Sequence, residues 1–595
     1  MTIKVSDFIA KRLKEIYNVQ NIFMISGGGA MHLNDSFGKY IPYICNHNEQ
    51  ASSIAAEGYA RLNQQLAVVN VTTGPGGINA LNGVFGQWTD SAPVLYISGQ
   101  VKQCTTIRAC GFLCLRQLGD QEVDIISVVK PLTKFAKEIV DVNEIEYFLD
   151  KAVYIATHGR KGPVWLDIPL DIQSALMDES KQKKYNPSED EIKLPDMTAP
   201  LEQLKKLLSA SKRPVIIAGH GIRLAGAKEE FLNFSNKFDI PVLTTMNGFD
   251  LIDQNNKNFI ARIGTVGNRA GNFALQNADL VISIGSRNNI RQVSYNWENF
   301  AKNAKLISVD IDKTELDKPT VTPYLKINAD CKVFIERFDK LLEGEKFDFA
   351  AWHSYCINLK NKYPAITEAP RVKPNPIEPY HFINILTKRF NENEVVVCAN
   401  GTAFLLPFQV GEVKRNQRYI WNSGNASMGY DLPAAVGACV ANKKQRTVCL
   451  AGDGSIMMNL QELQTIKQYN LPIKIFVLNN DGYISIQQTQ NNFFEGRMTA
   501  CTCSSGVTLP DFIEVAKAFK IAAVKIDSPK NLEDQIDAVL NTDGPVLCEV
   551  FLSPGYIFAP KLSARTLEDG TMVSPTLEDM YPFLDRKEFE ENIIK

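Results

Sequence analysis

The sequence predicts an α/β protein made of three doubly wound parallel-sheet domains, and three observations lead there. A chain of 595 residues corresponds to about four domains on a length prior, or comfortably three large α/β ones. Short apolar runs of strand length alternate with segments of helical spacing along most of the chain. Those runs repeatedly end in clusters of Gly, Asn and Asp, as parallel strands do where their carboxyl ends open into ligand loops.

Taken in order, Ser6-Asp7 opens a helix with apolar positions at Phe8, Ile9, Leu13 and Ile16. Residues 21–26 read as a strand ending in Gly27-Gly28-Gly29, a loop that lets a ligand approach the backbone around Gly28. Glu49 precedes a small-residue helix over 51–61, where the helix dipole favours a carboxylate. Asn70-Val71-Thr72-Thr73 is a second strand, ending in Gly74-Pro75-Gly76-Gly77 and opening a helix. Residues 181–194 are polar without apolar period and read as a linker. Strands at 214–219, 241–245, 280–285 and 305–312 then make a Rossmann-like second domain, although it has no Gly-x-Gly-x-x-Gly. Residues 342–376 turn polar and Pro-rich, a second linker, and a third domain starts near Ile377.

Residues 447–483 are the most informative stretch. An apolar run, Val448-Cys449-Leu450-Ala451, breaks into Gly452-Asp453-Gly454-Ser455. Helical spacing follows at Leu460, Leu463 and Ile466, and a second apolar run over 473–478 ends in Asn479-Asn480-Asp481-Gly482-Tyr483. This is a βαβ unit with both polar clusters at the carboxyl ends of its strands. Asp453 offers a carboxylate, Asn480 a side-chain carbonyl and the loop at Gly482 a backbone carbonyl. Three such oxygens leave room around an octahedral Mg²⁺ for phosphate oxygens and a water. Gly452 and Gly454 admit a ligand to the backbone, and the N–H groups from Ser455 onward favour phosphate.

Composition narrows the function classes. A net charge of −2 provides no field for nucleic acid or anionic membrane. No run of eighteen uncharged apolar residues marks a transmembrane helix, and the N-terminus lacks a signal-peptide core. Cys398, Cys439, Cys449 and Cys548 sit in apolar runs as small hydrophobes, and no cysteine group has zinc spacing. A reducing cytoplasm is the expected home.

Gly452-Asp453-Gly454 followed by Asn479-Asn480 resembles the signature of thiamine-diphosphate-dependent enzymes. Over nearly its whole length the chain is similar to their acetolactate synthase and pyruvate decarboxylase group. The resemblance implies a pyrimidine-binding domain over 1–180, a central Rossmann-like domain over 195–342, a diphosphate-binding domain over 377–560 and a tail over 561–595. It implies thiamine diphosphate and Mg²⁺ as cofactors, with Asp453, Asn480 and Gly482 as the metal ligands. Glu49, ahead of a helix ending in Gly58-Tyr59-Ala60-Arg61, becomes the catalytic acid at N1′ of the aminopyrimidine. Gly28, Gly74, Pro75, Asn400, Gly401, Thr402, Gly452, Gly454, Ser455, Tyr483 and Ile484 become cofactor contacts. By the match of 421–429, Ala426 carbonyl and Met428 N–H bond the ring, and the Met428 side chain wedges beneath it. Asp120-Gln121-Glu122 stands where acetolactate synthases carry Phe-Gln-Glu, so Gln121 is a second catalytic candidate in a more polar pocket.

The implied reaction decarboxylates a 2-keto acid, with pyruvate as the expected donor, and transfers the two-carbon unit to a carbonyl acceptor. Thr489 replaces a Trp that selects 2-ketobutyrate in biosynthetic acetolactate synthases. The segments 560–565 and 577–580 resemble relatives from surface-polysaccharide pathways, so a nucleotide-linked keto sugar is the alternative acceptor. A simple decarboxylase is the enzymatic runner-up, and a non-catalytic binding protein the alternative from another class. Gly285-Ser286-Arg287 resembles the segment that binds FAD in the family, while 288–295 departs from it; FAD and an empty spacer domain both stay open. The family's geometry implies a homodimer or homotetramer with active sites between subunits.

Overall fold

The computed structural model describes residues 2–112, 114–368, 374, 376–566, 569 and 571–594. Three six-stranded sheets, parallel throughout, form its framework. The first runs Tyr43–Cys45, Ile22–Met24, Ala67–Val71, Val94–Gln100, Val164–Pro169, Phe135–Glu138. The third repeats that succession with Arg418–Ile420, Val395–Cys398, Thr447–Gly452, Ile473–Asn479, Val546–Phe551 and Ala522–Ile526. The central sheet runs Phe259–Arg262, Val242–Thr244, Pro214–Ala218, Leu280–Ile284, Lys305–Asp310, Leu325–Asn328, the order of dinucleotide-binding folds. Helices cover both faces, so strands such as Ala67–Val71 and Val94–Gln100 are buried along their whole length.

In each sheet the strand order reverses beside the first strand, and this positions the loops that matter. In the third sheet the reversal lies between Val395–Cys398 and Thr447–Gly452, so the loops carrying Asn400-Gly401-Thr402 and Asp453 lie side by side. In the first it lies between Ile22–Met24 and Ala67–Val71, which brings Gly27-Gly28-Gly29 to the loop over 72–76. In the central sheet it brings Gly219-His220-Gly221 to Gly285-Ser286-Arg287.

One hydrophobic core spans the first and third sheets, from Val69, Tyr96 and Trp165 to Val397, Cys449 and Ile475. It is joined by helix Glu49–Asn63 crossing helix Asp431–Ala441. The crossing is so close that a Cβ on Gly58 would stand 2.3 Å from Ala434 O, and one on Gly437 1.7 Å from Ala55 O. That contact accounts for the run of small residues after Glu49.

Between the central and third sheets, residues read as a linker contain helix Ala350–Lys362, whose Trp352, Cys356 and Leu359 pack on the central domain. Part of that expected linker, 369–373 and 375, lies outside the described residues. The tail is bound to the central helix Arg269–Asn277: Asn272 donates to Leu577 O (2.9 Å), Gln276 to Glu578 (2.9 Å) and Asn277 to Asn592 O (2.8 Å). All twelve cysteines are free thiols. No helix among the described residues is long and apolar enough to cross a membrane.

Candidate active site

Strands Thr447–Gly452 and Ile473–Asn479 pair Gly452 with Leu478, so their loops meet at one corner. Asp453 is buried there. Its Oδ1 accepts from Gly454 N (2.6 Å), and its Oδ2 from Asn480 N (2.9 Å) and Gly482 N (3.0 Å). Gly482 has φ 107° and a Cβ would stand 2.4 Å from Cys501 O, so only glycine fits.

Asn480 decides what the corner can hold. Its Nδ2 donates to the hydroxyls of Thr402 (2.8 Å) and Tyr556 (2.9 Å), which also bond each other. Its Oδ1 then faces only acceptors, Gly482 O at 2.8 Å and Asp453 Oδ2 at 3.2 Å. Three oxygens with no proton between them repel unless a cation sits among them. Ligands about 2.1 Å from Mg²⁺ at right angles are separated by about 3 Å, which the two distances from Asn480 Oδ1 match. Turned over, the amide would donate to Gly482 O and Asp453 and accept from the two hydroxyls, so the corner closes on itself without an ion. The donor set fits a hard divalent cation in one orientation and satisfies itself in the other.

Burial raises the Asp453 carboxyl to about 6, against the pull of three backbone N–H groups and with help from Asp481. A cation must displace that proton. Mg²⁺ affinity is therefore expected to be level above about pH 6 and to fall about tenfold per pH unit below it. Calorimetric titration at pH 5 to 7.5 checks this, and an affinity independent of pH would remove Asp453 from the ligand set.

The neighbouring loops complete this half. Gly401 (φ 56°) starts helix Thr402–Val410, and Asn400 Nδ2 donates to Ala426 O (3.0 Å). Ala426 takes φ 55°, held by its N–H on Asn422 O (2.6 Å), while Met428 is half-buried beside it. Ser455 Oγ donates to Asp431 (2.6 Å) and accepts from Gly429 N (2.9 Å), fixing the 421–429 loop against the Asp453 loop. The Tyr483 ring covers Gly454, and Ile484 is buried behind it. A cavity opens here, lined by Asn400, Gly401, Ala426, Gln488 and Thr489.

The first domain supplies a second group. Glu49 begins helix Glu49–Asn63 behind the N-cap Asn48; it is half-buried and accepts from Asn79 Nδ2 (3.0 Å). A Cβ on Gly76 would stand 3.6 Å from Glu49 Oε1, so the loop that starts helix Pro75–Asn79 lies beside the carboxylate. Gly74 (φ 63°) touches the Gln121 carbonyl, and Gln121 itself is exposed. Gly28 is exposed with open space around it; the tight contacts of its loop are made by Gly27 and Gly29. The one hydrogen bond of the Glu49 carboxylate to a described residue stays within the first domain.

Sequence reasoning missed three contributors. Tyr556 orients Asn480 from the loop after the last strand of its sheet, where nothing in the sequence distinguishes it. Asn79 orients Glu49, and its place in the helix opened by the glycine loop was the available hint. Glu462 is buried and accepts from Asn46 Nδ2 (2.8 Å), His47 N (2.8 Å) and Thr465 Oγ1 (2.7 Å). It thereby clamps, from the third domain, the loop that leads into Glu49.

A further cavity lies between the first and central domains, bordered by Asp90, His220, Ser286, Arg287 and Asp310. Burial and the nearby Arg61, Arg418 and Arg223 push the His220 pKa well down, and its Nε2 has no hydrogen-bond partner among the described residues.

Residues 3–125 match the thiamine pyrophosphate enzyme N-terminal TPP binding domain, 201–338 the central domain and 400–550 the C-terminal TPP binding domain. The acetolactate synthase large subunit of Lactococcus lactis subsp. lactis (strain IL1403) is 31% identical over 566 residues, covering 95% of this chain and 95% of its own length. Acetolactate synthase 1, chloroplastic, of Zea mays is 31% identical over 565 residues, covering 92% of this chain and 85% of its own. The acetolactate synthase large subunit of Cyanidium caldarium is 31% identical over 557 residues, 90% of this chain and 91% of its own. With three parallel sheets carrying the three matched domains and identity sustained over nearly the full length, the chain belongs to the thiamine pyrophosphate enzyme family, as an enzyme of the acetolactate synthase type.

Proposed function

We propose that the protein is a thiamine-diphosphate- and Mg²⁺-dependent carboligase that decarboxylates pyruvate and passes the two-carbon unit to a carbonyl acceptor. The observation that supports this most is the oxygen trio of Asp453, Asn480 and Gly482 beside the Asn400-Gly401-Thr402 loop. Magnesium on three protein oxygens keeps positions for diphosphate oxygens and a water. Thiamine diphosphate bound there supplies an acidic thiazolium carbon and an electron sink for the loss of CO₂.

This chain's own residues do the rest. With its Nδ2 toward the hydroxyls of Thr402 and Tyr556, the Asn480 amide would turn its oxygen toward the ion. Gly452, Gly454 and Ser455 line the phosphate side. Ala426 O has a second lone pair that an aminopyrimidine could use beyond its bond from Asn400, and Met428 would pack against such a ring. Glu49, oriented by Asn79, moves a proton to and from the ring nitrogen. Gln121, beside Gly74, faces the substrate.

A second copy of the chain completes the site in this reading. Exposed Ile78, Phe85 and Trp88 follow the glycine loop beside Glu49, and exposed Met457 and Met458 follow Asp453. Apolar surface flanking both half-sites supports their burial against each other across a two-fold axis. The open cavity between first and central domains is the candidate place for FAD, its arginines suited to the phosphates of a dinucleotide. Twelve free thiols agree with a reducing cytoplasm.

Incubating the protein with Mg²⁺, thiamine diphosphate and pyruvate, with and without 2-ketobutyrate, and analysing products by mass spectrometry tests the reading. Acetolactate or its homologue is expected. Acetaldehyde alone would make the protein a decarboxylase, and pyruvate left unconsumed would remove the proposal.

A further inference from the structure

The chain from Asp453 to Tyr469 touches both half-sites. It begins with helix Asp453–Ile456, which carries the Asp453 carboxylate, and ends with helix Glu462–Gln468 and its C-cap Tyr469. Near its start Ser455 Oγ accepts from Gly429 N (2.9 Å) and Asn459 Nδ2 donates to Gly429 O (2.8 Å), so both backbone groups of Gly429 are held. Its far end grips the first domain. Glu462 Oε2 accepts from Asn46 Nδ2 (2.8 Å) and Thr465 Oγ1 (2.7 Å), and its Oε1 from His47 N (2.8 Å). At the other end of the same helix the Tyr469 hydroxyl accepts from Cys45 N (2.9 Å).

This grip falls where the first domain is weakly held. Strand Tyr43–Cys45 is three residues long and lies at the edge of its sheet, with a strand neighbour on one side only. The chain then runs through Asn46 and His47 to Asn48, which caps the helix by accepting from Gln50 N (2.8 Å), and Glu49 is the first helical residue. The tight helix crossing at Ala55, Gly58 and Gly437 lies in later turns, so the position of Glu49 depends on what holds 45–47. A buried carboxylate holds it. Burial raises the Glu462 pKa and its donors, Thr465, Asn46 and His47, work against that, as charge-assisted bonds to the ionised form do.

We propose that Glu462 is a positioning residue for Glu49. It fixes the backbone from which the catalytic acid is presented, and because the site is shared between two chains it acts on the cofactor that the partner holds. This rests on the carboligase reading and its shared site, which the reference hybrid below tests separately.

Hybrid dimers of Glu49→Gln and Asp453→Ala chains contain one working site. Its Glu49 comes from the Asp453→Ala chain and its Asp453 from the Glu49→Gln chain. Glu462→Gln is added to one chain or to the other, and the hybrids are isolated through a different affinity tag on each chain. In the chain that supplies Glu49 it should lower kcat for pyruvate by about 5- to 20-fold, since a displacement of about 1 Å can cost about 100-fold. In the chain that supplies Asp453 it should lower kcat less than about twofold, and thiamine diphosphate affinity should be alike in both arrangements. Adding Asn46→Asp to the Glu462→Gln chain reverses donor and acceptor in their bond and should restore about half of the loss or more.

Equal losses in the two arrangements would make Glu462 a structural group and overturn the proposal. No loss in either, or a greater loss in the chain that supplies Asp453, would overturn it too. Thermal melting confirms folding. If Glu462→Gln chains do not fold, Tyr469→Phe, which removes only the bond to Cys45, is compared in the same arrangements and by the same criteria, with about 2- to 5-fold expected. An inactive reference hybrid would instead remove the shared site. The Glu462→Gln homodimer then decides, and turnover within about twofold of wild type would end the positioning role.

Discussion

Glu49→Gln is expected to lower pyruvate turnover by roughly 10²–10⁴-fold, the contribution of a positioned general acid–base group. Gln has the shape of Glu and keeps an oxygen for the Asn79 bond, and Asn48, not Glu49, caps the helix. The fold and thiamine diphosphate affinity should therefore change little, which calorimetry and thermal melting read separately from kcat. Unchanged turnover would take Glu49 out of the mechanism. The variant also tests where the site lies. Mixed with Asp453→Ala before assembly, it should form hybrid dimers with one intact pair of half-sites. Random mixing makes half the dimers hybrid with one working site in two, so about a quarter of wild-type activity returns. A site contained in a single chain would recover nothing.

The meeting of the Asp453 and Asn480 loops was legible because their placement is local. Gly452-Asp453-Gly454 and Asn479-Asn480 each end a strand, and adjacent parallel strands bring their ends together whatever the rest of the sheet does. Alternating strand and helix patterns likewise announced three α/β units. Strand order was not legible, since it is set by which faces pack, and it is the reversal beside each first strand that brings every glycine loop to its partner. Tyr556 and Glu462 act through contacts 76 and 416 residues away, which no spacing rule reaches. Helix Ala350–Lys362 did have a signal, Trp352, Cys356 and Leu359 at helical intervals, but charged neighbours and the prolines beyond it outweighed three apolar residues. The Gly58-Tyr59-Ala60-Arg61 motif was visible as a match, and its physical reason emerged only with the third domain in contact. Gly58 lets Ala434 approach, and Arg61 reaches Trp421 O (2.6 Å).

Arg61→Ala should destabilise the junction of the domains by about 3–5 kcal/mol, the usual result of removing one member of a buried charge network. The guanidinium is almost wholly buried and lies 3.2 Å from Glu57 Oε1 and 3.2 Å from Asp90 Oδ2. Tyr430 adds a hydrogen bond to Glu57 (3.0 Å), and Asn247 of the central domain one to Asp90 (3.1 Å). One cation thus faces two carboxylates, and burial pushes Glu57 up to about 7 against the pull of Arg61. Without Arg61, the Asp90 carboxylate would be buried against Glu57 with no counter-ion. Nearby Arg223 and Arg418 do not compensate, since both are paired with Asp250. Burial works to raise its pKa, but Arg223 and Arg418 outweigh that and hold it well below the usual range. Arg61→Lys keeps the charge and loses the forked geometry, so it should cost clearly less than Ala. Urea denaturation followed by tryptophan fluorescence reads both, Trp421 lying against the site. A loss under about 1 kcal/mol for Arg61→Ala would mean that the small-residue helix crossing joins these domains with no help from the charges.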